Sequence, residues 1–410
     1  MSLVVEAKKI ADRAVLLPLA SALRVFDRVR GRAPRVAIVS PRRILFVKLW
    51  GLGNLAMILP LLRRAKETFP DARIDLLTLE GNRALLEDVP AIDRLHLLRP
   101  DGLLRPVADL FRAARVLRRR RYDLVLDFEQ FLRVTALLTR AIAPAFSIGF
   151  ATPGQGRQGV HDVDVPHLGR RHMAVGFSEI ARAAGVAVDD VPLPEVPRNT
   201  AAARDVERML ATRLSARSGS PLVVVHCGSG DNFPGRRWPV ERFAALADQL
   251  SRAADATILL TGTEAERSLT AALARALPDH VAYVDLAGQL ELRALIELIA
   301  RVDLVVTNDT APVHLADAVG TPLVAIYGPN TPTLYGPRGP ESRAFWAGLG
   351  CSPCITNRNA KTSFCRRRLC LETIHPPRVA AAALTMLERR RLRQGAPETV
   401  IAGAVGAEDR

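Results

Sequence analysis

The sequence has no apolar run of the ~20 residues that a bilayer-crossing helix requires. Aromatic residues are scarce, 5% of 410 positions, so with 49% hydrophobic residues the packing falls to Leu, Val, Ala and Ile. Cysteine is rarer still: five in all, with Cys227 alone and the other four between Cys351 and Cys370. A secreted disulfide scaffold spreads its cysteines through a shorter chain, so a reducing, cytoplasmic compartment is expected. Negative charge is in deficit, 42 Asp and Glu against 57 Lys and Arg, a formal net charge of +15. Such a field draws polyanions. No zinc-finger, basic-zipper or aromatic RNA-binding pattern accompanies it, which argues against nucleic acid and leaves anionic lipid or a phosphorylated glycolipid.

The length exceeds one ordinary core and predicts two α/β domains of roughly 150–200 residues each. Ahead of them, residues 14–26 (AVLLPLASALRVF) resemble the apolar part of a signal peptide preceded by Lys8 and Lys9. Arg24, Asp27, Arg28 and Arg30 interrupt the run, and no small-residue cleavage pattern follows. Residues 5–30 therefore predict an amphipathic helix kinked at Pro18. It either packs on the protein or lies on an anionic inner-membrane surface.

Short apolar runs predict strands at 43–49, 73–78, 122–128 and 147–150, alternating with helices at 54–69, 103–121 (with a basic face), 131–143 and 172–184. After a proline-rich stretch the alternation restarts. Strands are expected at 221–226, 257–262, 283–286, 304–308 and 323–328, with helices at 240–253, 264–277, 291–300 and 312–319. This predicts two Rossmann-like, doubly wound parallel sheets facing across a cleft. The expected organisation is an N-terminal basic segment (1–40), a first domain (41–190), a linker with its leading helix (191–218), a second domain carrying the cysteine cluster (219–375), and a closing helix with a flexible tail (376–410). The second-domain strands end in Gly, Ser, Thr, Asn or Asp, at the edge where open α/β sheets bind ligands.

Residues 306–329, VTNDTAPVHLADAVGTPLVAIYGP, are the most informative stretch. A buried strand runs into Asn308, Asp309 and Thr310, and Pro312 suits the first turn of the helix that follows. The unpaired N–H groups of such a helix start form an anion site fit for a diphosphate. The competing reading is that Asp309 and Thr310 only cap the helix. Gly51-Leu52-Gly53 lets backbone approach a ligand closely, but lacks the third glycine of a dinucleotide fingerprint, which disfavours NAD chemistry.

The 306–329 stretch resembles the donor-binding signature of glycosyltransferase family 9, the bacterial heptosyltransferases. The family's usual NDTG-P-x-H-x-A-x-A-x-G-T-P is matched at Asn308, Asp309, Thr310, Pro312, His314, Ala316, Ala318, Gly320, Thr321 and Pro322, followed by Tyr327-Gly328-Pro329. Ala311 stands where the family has Gly, a methyl group that narrows the site. Gly228-Ser229-Gly230 with Arg236-Arg237-Trp238-Pro239, and Leu260-Thr261-Gly262 with Glu264 and Glu266, resemble further blocks in the same order. The resemblance spans roughly residues 42–380. It implies a GT-B architecture, an inverting transfer without a catalytic metal or other cofactor, and ADP-heptose or a similar nucleotide sugar as donor. The acceptor it implies is a lipid-linked glycan at the inner face of the cytoplasmic membrane. It places Gly228, Ser229, Arg236, Arg237, Gly262, Asp309, Thr310, Ala311 and His314 around the donor. Arg236, or else Arg237, would neutralise the leaving diphosphate, unless the two are a solvated surface pair.

The family's base is an Asp in the turn after the first strand. Here that position is Asn54, and an amide cannot take a proton at neutral pH. Either another carboxylate serves, or the chemistry is unusual, or the chain is a non-catalytic nucleotide-sugar or glycan binder. Glu129, at the end of the 122–128 strand, is the favoured substitute, expected to face the cleft with its pKa raised by the nearby charge of Asp127. Gly51, Gly53, Asn54 and Asp127 make up the acceptor side, with Asn54 orienting a substrate hydroxyl. Cys351, Cys354, Cys365 and Cys370 are either a structural zinc site, with His375 spare, or simply thiols. His161, His167 and His172 lie with Arg157, Arg170 and Arg171 in a basic, turn-rich interval. That interval is either a loop for acceptor phosphates or a solvated one.

Overall fold

The computed structural model describes residues 40–99, 105–214, 219–230, 234–356, 363 and 365–395. The expected amphipathic segment at 5–30 and the tail beyond Gly395 lie outside them. Strands β1 (Arg43–Val47), β2 (Arg73–Leu79), β3 (Arg94–Leu98), β4 (Leu124–Asp127), β5 (Phe146–Ala151) and β6 (Val163–Pro166) form one parallel sheet, in the order β3-β2-β1-β4-β5-β6. Successive residues of a strand point to opposite faces. Ile44 and Phe46 accordingly meet the helices α1 (Leu52–Thr68) and, further along the chain, Met173–Ala183, while Leu45 and Val47 meet α2 (Arg105–Arg119) and α3 (Arg133–Ile142). The Met173–Ala183 helix is α4.

The second half repeats the plan. Strands β7 (Leu222–His226), β8 (Thr257–Leu260), β9 (Tyr283–Asp285), β10 (Leu304–Asn308), β11 (Leu323–Tyr327) and β12 (Ser342–Trp346) run parallel in the order β12-β11-β10-β7-β8-β9. The helices are α5 (Thr200–Arg213), α6 (Val240–Ala254), α7 (Arg267–Ala276), α8 (Leu292–Arg301), α9 (Ala311–Val319) and α10 (Pro376–Gly395). In each sheet the strand order reverses once, between β1 and β4 and between β7 and β10. At such switch points neighbouring crossovers diverge and leave a crevice at the carboxyl ends of the strands.

Three strands not expected from the sequence, β3, β6 and β12, are all outermost in their sheets. An outer strand has one neighbour and a partly wet face, so its residues need not form a clean apolar run. None of the β3 residues is fully buried, and β6 ends in Pro166, tolerated at an edge because the ladder asks nothing of its nitrogen.

The chain between α4 and α5 carries no regular element. It is tied to the second domain by Arg338, which donates to the carbonyls of Val191 and Pro192, and by buried Glu297, which accepts from Arg198 and from the Asn199 backbone. Helix α5 packs on α8, and α10 lies along α6. The domains meet where α1 packs on α9, through apolar side chains including Leu55, Ile58, Val313 and Leu315. Among the described residues no helix is long and apolar enough to cross a membrane.

Candidate functional site

The residues singled out from sequence collect at the two switch points. On the donor side, β7 and β10 run in register, with His226 opposite Thr307, so the 227–230 loop and the 308–310 turn leave the sheet side by side. Fully buried Asn308 fastens them. Its Oδ1 accepts from the Trp238 amide at 2.9 Å, and its Nδ2 donates to the carbonyls of Cys227 (2.7 Å) and Gly228 (3.2 Å). Arg236 bridges the same two loops, donating to the Asp309 carbonyl at 2.8 Å and the Ser229 carbonyl at 2.7 Å. Its charge lies 3.5 Å from Asp309 Oδ2, which also accepts from Asn330 at 2.7 Å. Arg237 is the more open of the pair and donates to Ser229 Oγ at 3.2 Å. The two arginines are thus built into the loops rather than solvated.

Asp309 and Thr310 do not cap α9. Thr310 holds the N-cap position with an extended backbone, yet its side chain makes no capping hydrogen bond, and Pro312 sits in the first turn. Pro312 has no N–H and the Val313 N–H bonds the Thr310 carbonyl at 3.1 Å, so what the helix start presents is chiefly its dipole. Glu266 was noted in the sequence only as part of a block, but it holds the neighbouring loop. Its Oε1 accepts from the amides of Ser229 (3.0 Å) and Gly230 (2.9 Å), and its Oε2 from the amide (3.0 Å) and hydroxyl (3.1 Å) of Thr263. Burial alone would raise its pKa, but these donors hold the carboxyl below its ordinary value. The Ser229 amide is thus already taken, which leaves the Ser229 side chain for the donor position that the family resemblance gives it. Gly228 is required here because a side-chain carbon would overlap the Glu266 carboxylate, and Gly262 packs against the Glu266 stem.

On the acceptor side, β1 leads into Gly51, which has φ +90 and precedes α1. Asn54 folds back beneath it, so that a carbon added at Gly51 would stand 3.0 Å from Asn54 Nδ2. Glu129 corrects the sequence expectation. It is buried rather than open to water, and its Oε1 accepts from the amides of Leu49 (2.8 Å) and Trp50 (2.9 Å) while pairing with buried Lys48 at 3.0 Å. Asp127 does not act on Glu129 as a free like charge, nor does it face an acceptor. Wholly buried, it takes an Arg157 hydrogen bond at 2.7 Å on Oδ2 and the Glu129 amide at 3.0 Å on Oδ1. Burial pushes its pKa up, but the charge of Arg157 and the neighbouring His161 outweigh that and bring it to about 2.

The basic interval, read as either a loop for acceptor phosphates or a solvated one, is largely built into the first domain. Arg157 is fully buried, with further bonds to the carbonyls of Phe150 and Leu132 and to Thr135. His161 is buried beside Asp127, and His167 packs against Phe131 and Phe150. His172 caps α4 through Nδ1 and bonds the Gly336 carbonyl of the other domain at 2.9 Å through Nε2. Only Arg170 and Arg171 remain near the surface, and Arg171 pairs with Glu179 at 2.7 Å.

The two sides meet directly. A side-chain carbon at Gly53, in the first turn of α1, would overlap the His314 ring in the first turn of α9. Two helix starts from opposite domains therefore converge, with Thr310 and Ala311 half-buried beside them. Burial lowers the His314 pKa to about 4, helped by nearby His172 and opposed by Asp309 and Asp317, so the ring is neutral at neutral pH.

The four cysteines read as either a structural zinc site or simple thiols lie close enough together for Cys351, Cys354 and Cys365 to act electrostatically on Cys370. None of the four is in a disulfide, and among the described residues no three His, Cys, Asp or Glu side chains are grouped to hold a metal ion. Cys370 is buried, and that burial, then the charges of the other three thiols, raises its pKa to about 11.

Two facing sheets of Rossmann order, with an arginine-flanked helix start at the second switch point, define a GT-B glycosyltransferase. The chain belongs to glycosyltransferase family 9 (heptosyltransferase), whose pattern matches residues 110–364, more than half of its length. It is 27% identical over 305 residues to lipopolysaccharide heptosyltransferase 2 of Salmonella typhimurium, covering 71% of this chain and 84% of that protein. It is also 27% identical over 382 residues to lipopolysaccharide heptosyltransferase 1 of Pseudomonas aeruginosa, covering 87% and 99%. The solved structure of E. coli ADP-heptose lps heptosyltransferase II shares the fold, with TM-score 0.66 and 22% identity over 85% of this chain and 99% of that one.

Proposed function

We propose that this chain transfers a heptose from ADP-heptose, with inversion, to the lipopolysaccharide core or a related cell-envelope glycolipid. The observation that carries this reading is the convergence at Gly53 and His314 of two helix starts from opposite domains, beside Arg236 and Asp309. The α9 start and the charges of Arg236 and Arg237 stabilise the departing ADP, because fixed dipoles aimed at a developing charge need no reorganisation. Asp309, Thr310, Ala311 and His314 surround the sugar diphosphate. Asn54 orients the acceptor hydroxyl. Glu129 is the candidate base, acting through Oε2, since the bonds to its carboxylate all fall on Oε1. In this reading the transfer itself uses no metal. The acceptor is lipid-linked, and the work is done in the cytoplasm at an anionic membrane surface.

The test is a thermal-shift screen of nucleotide sugars, followed by ADP release and product mass with a heptose-accepting core glycan. ADP-heptose should stabilise the protein most and be turned over. Stabilisation without turnover or slow donor hydrolysis would instead support the non-catalytic binder, and stabilisation by no nucleotide sugar would end both readings.

A further inference from the structure

Helix α2 lies on the outside of the first domain. Leu110, Ala113, Ala114 and Leu117 turn toward the sheet. At 100° per residue the opposite arc carries Phe111, Arg112, Arg115, Val116, Arg118 and Arg119, all exposed. Phe111 is 73% exposed, the most open large hydrophobic side chain among the described residues, and Val116 is 44% exposed. The nearest acid on α2, Asp109, is held by Arg112 at 3.1 Å at the edge of this arc. An apolar ring ringed by arginines is a poor water-facing surface but matches an anionic interface, where the ring enters the acyl boundary and guanidinium groups meet phosphates.

The arginines continue past the helix. Arg43 donates to the Arg120 carbonyl at 2.6 Å, and these two with Arg73 and Arg94, four arginines against Asp75 and Asp93, line a cavity of about 240 Å³ at the starts of β1, β2 and β3. The chain enters β1 at this corner, where the Arg42 amide bonds Asp123 at 2.7 Å. Residues 1–39, which precede it, carry Lys8, Lys9, Arg13, Arg24, Arg28, Arg30, Arg32 and Arg35.

We propose that the outer face of α2, with the adjoining arginine corner, is the surface by which the first domain sits on an anionic lipid bilayer. It rests on the reading of a lipid-linked acceptor and adds where the lipid lies. Because α2 runs antiparallel to the strands, its first turn is level with the strand ends that form the site. Phe111 lies six residues on, about 9 Å further down at 1.5 Å per residue. A membrane against this side places a lipid-borne sugar near the cleft without blocking it.

The test is co-sedimentation of the full chain with phosphatidylcholine vesicles, with and without phosphatidylglycerol. Wild type should bind only the anionic vesicles, and binding should fall with salt. At about a fivefold loss per removed basic contact, R112Q/R115Q/R119Q should weaken binding about 100-fold, and F111S about tenfold. All should keep the wild-type melting temperature, its shift with ADP, and turnover of a deacylated acceptor. Unchanged anionic-vesicle binding by the triple variant overturns the proposal. So does equal wild-type binding to neutral vesicles, or a wild-type dimer that the variant breaks, which would give the face to a second copy. Vesicle binding needs neither donor nor acceptor. Normal binding without turnover would therefore fault the transferase reading and leave this surface standing.

Discussion

Arg236 is the side chain whose loss should be most informative, because it joins the two donor loops to each other. Replacing it with Ala removes two charge-assisted hydrogen bonds, to the Asp309 and Ser229 carbonyls, and leaves Asp309 without its cation at 3.5 Å. Hydrogen bonds to a charged donor contribute ~1.5–3 kcal/mol each, and part of that returns when water enters the space. A net loss of about 2–4 kcal/mol is expected, lowering Tm by roughly 5–15 °C for a domain of this size. Catalysis should suffer separately. Withdrawing one preorganised positive group from a departing diphosphate costs on the order of 100- to 1,000-fold in kcat. Arg236→Lys should fall between, since a single ammonium can reach one carbonyl but not span both. Differential scanning fluorimetry with and without ADP, alongside steady-state ADP release, reads both effects. An Arg236→Ala protein with wild-type Tm and unchanged kcat would refute the stapling and leaving-group roles together.

Glu129→Gln separates two roles of that carboxylate. A base loses about 100-fold or more in kcat while Tm and donor affinity hold, whereas a strut for the Leu49–Trp50 turn loses Tm, because Lys48 is left buried without its partner. Gly53→Ala should drive α1 and α9 apart at His314, raising the KM for donor and destabilising the fold by about 1–3 kcal/mol; a silent variant would mean the two helix starts do not touch. Acid should weaken the fold in two stages. His314 has a folded pKa of about 4 against 6.5, so between those values only the unfolded chain gains the proton, and on the order of 3 kcal/mol is lost as pH falls. Asp127, at about 2 against 3.8, contributes stability that is present above pH 4 and lost as pH falls toward 2. Urea titrations across pH should show His314→Asn reducing the first stage, to which His172 and His226, also lowered by burial, contribute the remainder; a flat wild-type profile from pH 6.5 to 4.5 speaks against the buried rings.

Periodicity alone determined the alternating α/β plan and the positions of the inner strands, since a strand buried on both faces must be a continuous apolar run. The loop motifs marked strand-end residues that the fold then gathers at its two switch points, because glycines and helix-start residues at strand ends leave a local mark in sequence. The outer strands β3, β6 and β12 escaped because an edge places weaker demands on each residue. The tertiary structure decided which charges are free. Nothing local in the sequence marks Arg157, Glu129 and Glu266 as buried, yet each is held by a partner at least 30 positions away: Asp127, Lys48 with the Leu49–Trp50 amides, and the 229–230 loop. Local sequence carries the spacing of a helix or a turn. Whether a charge meets water or an opposite charge depends on which distant strand ends the sheet brings together, and only the folded chain contains that.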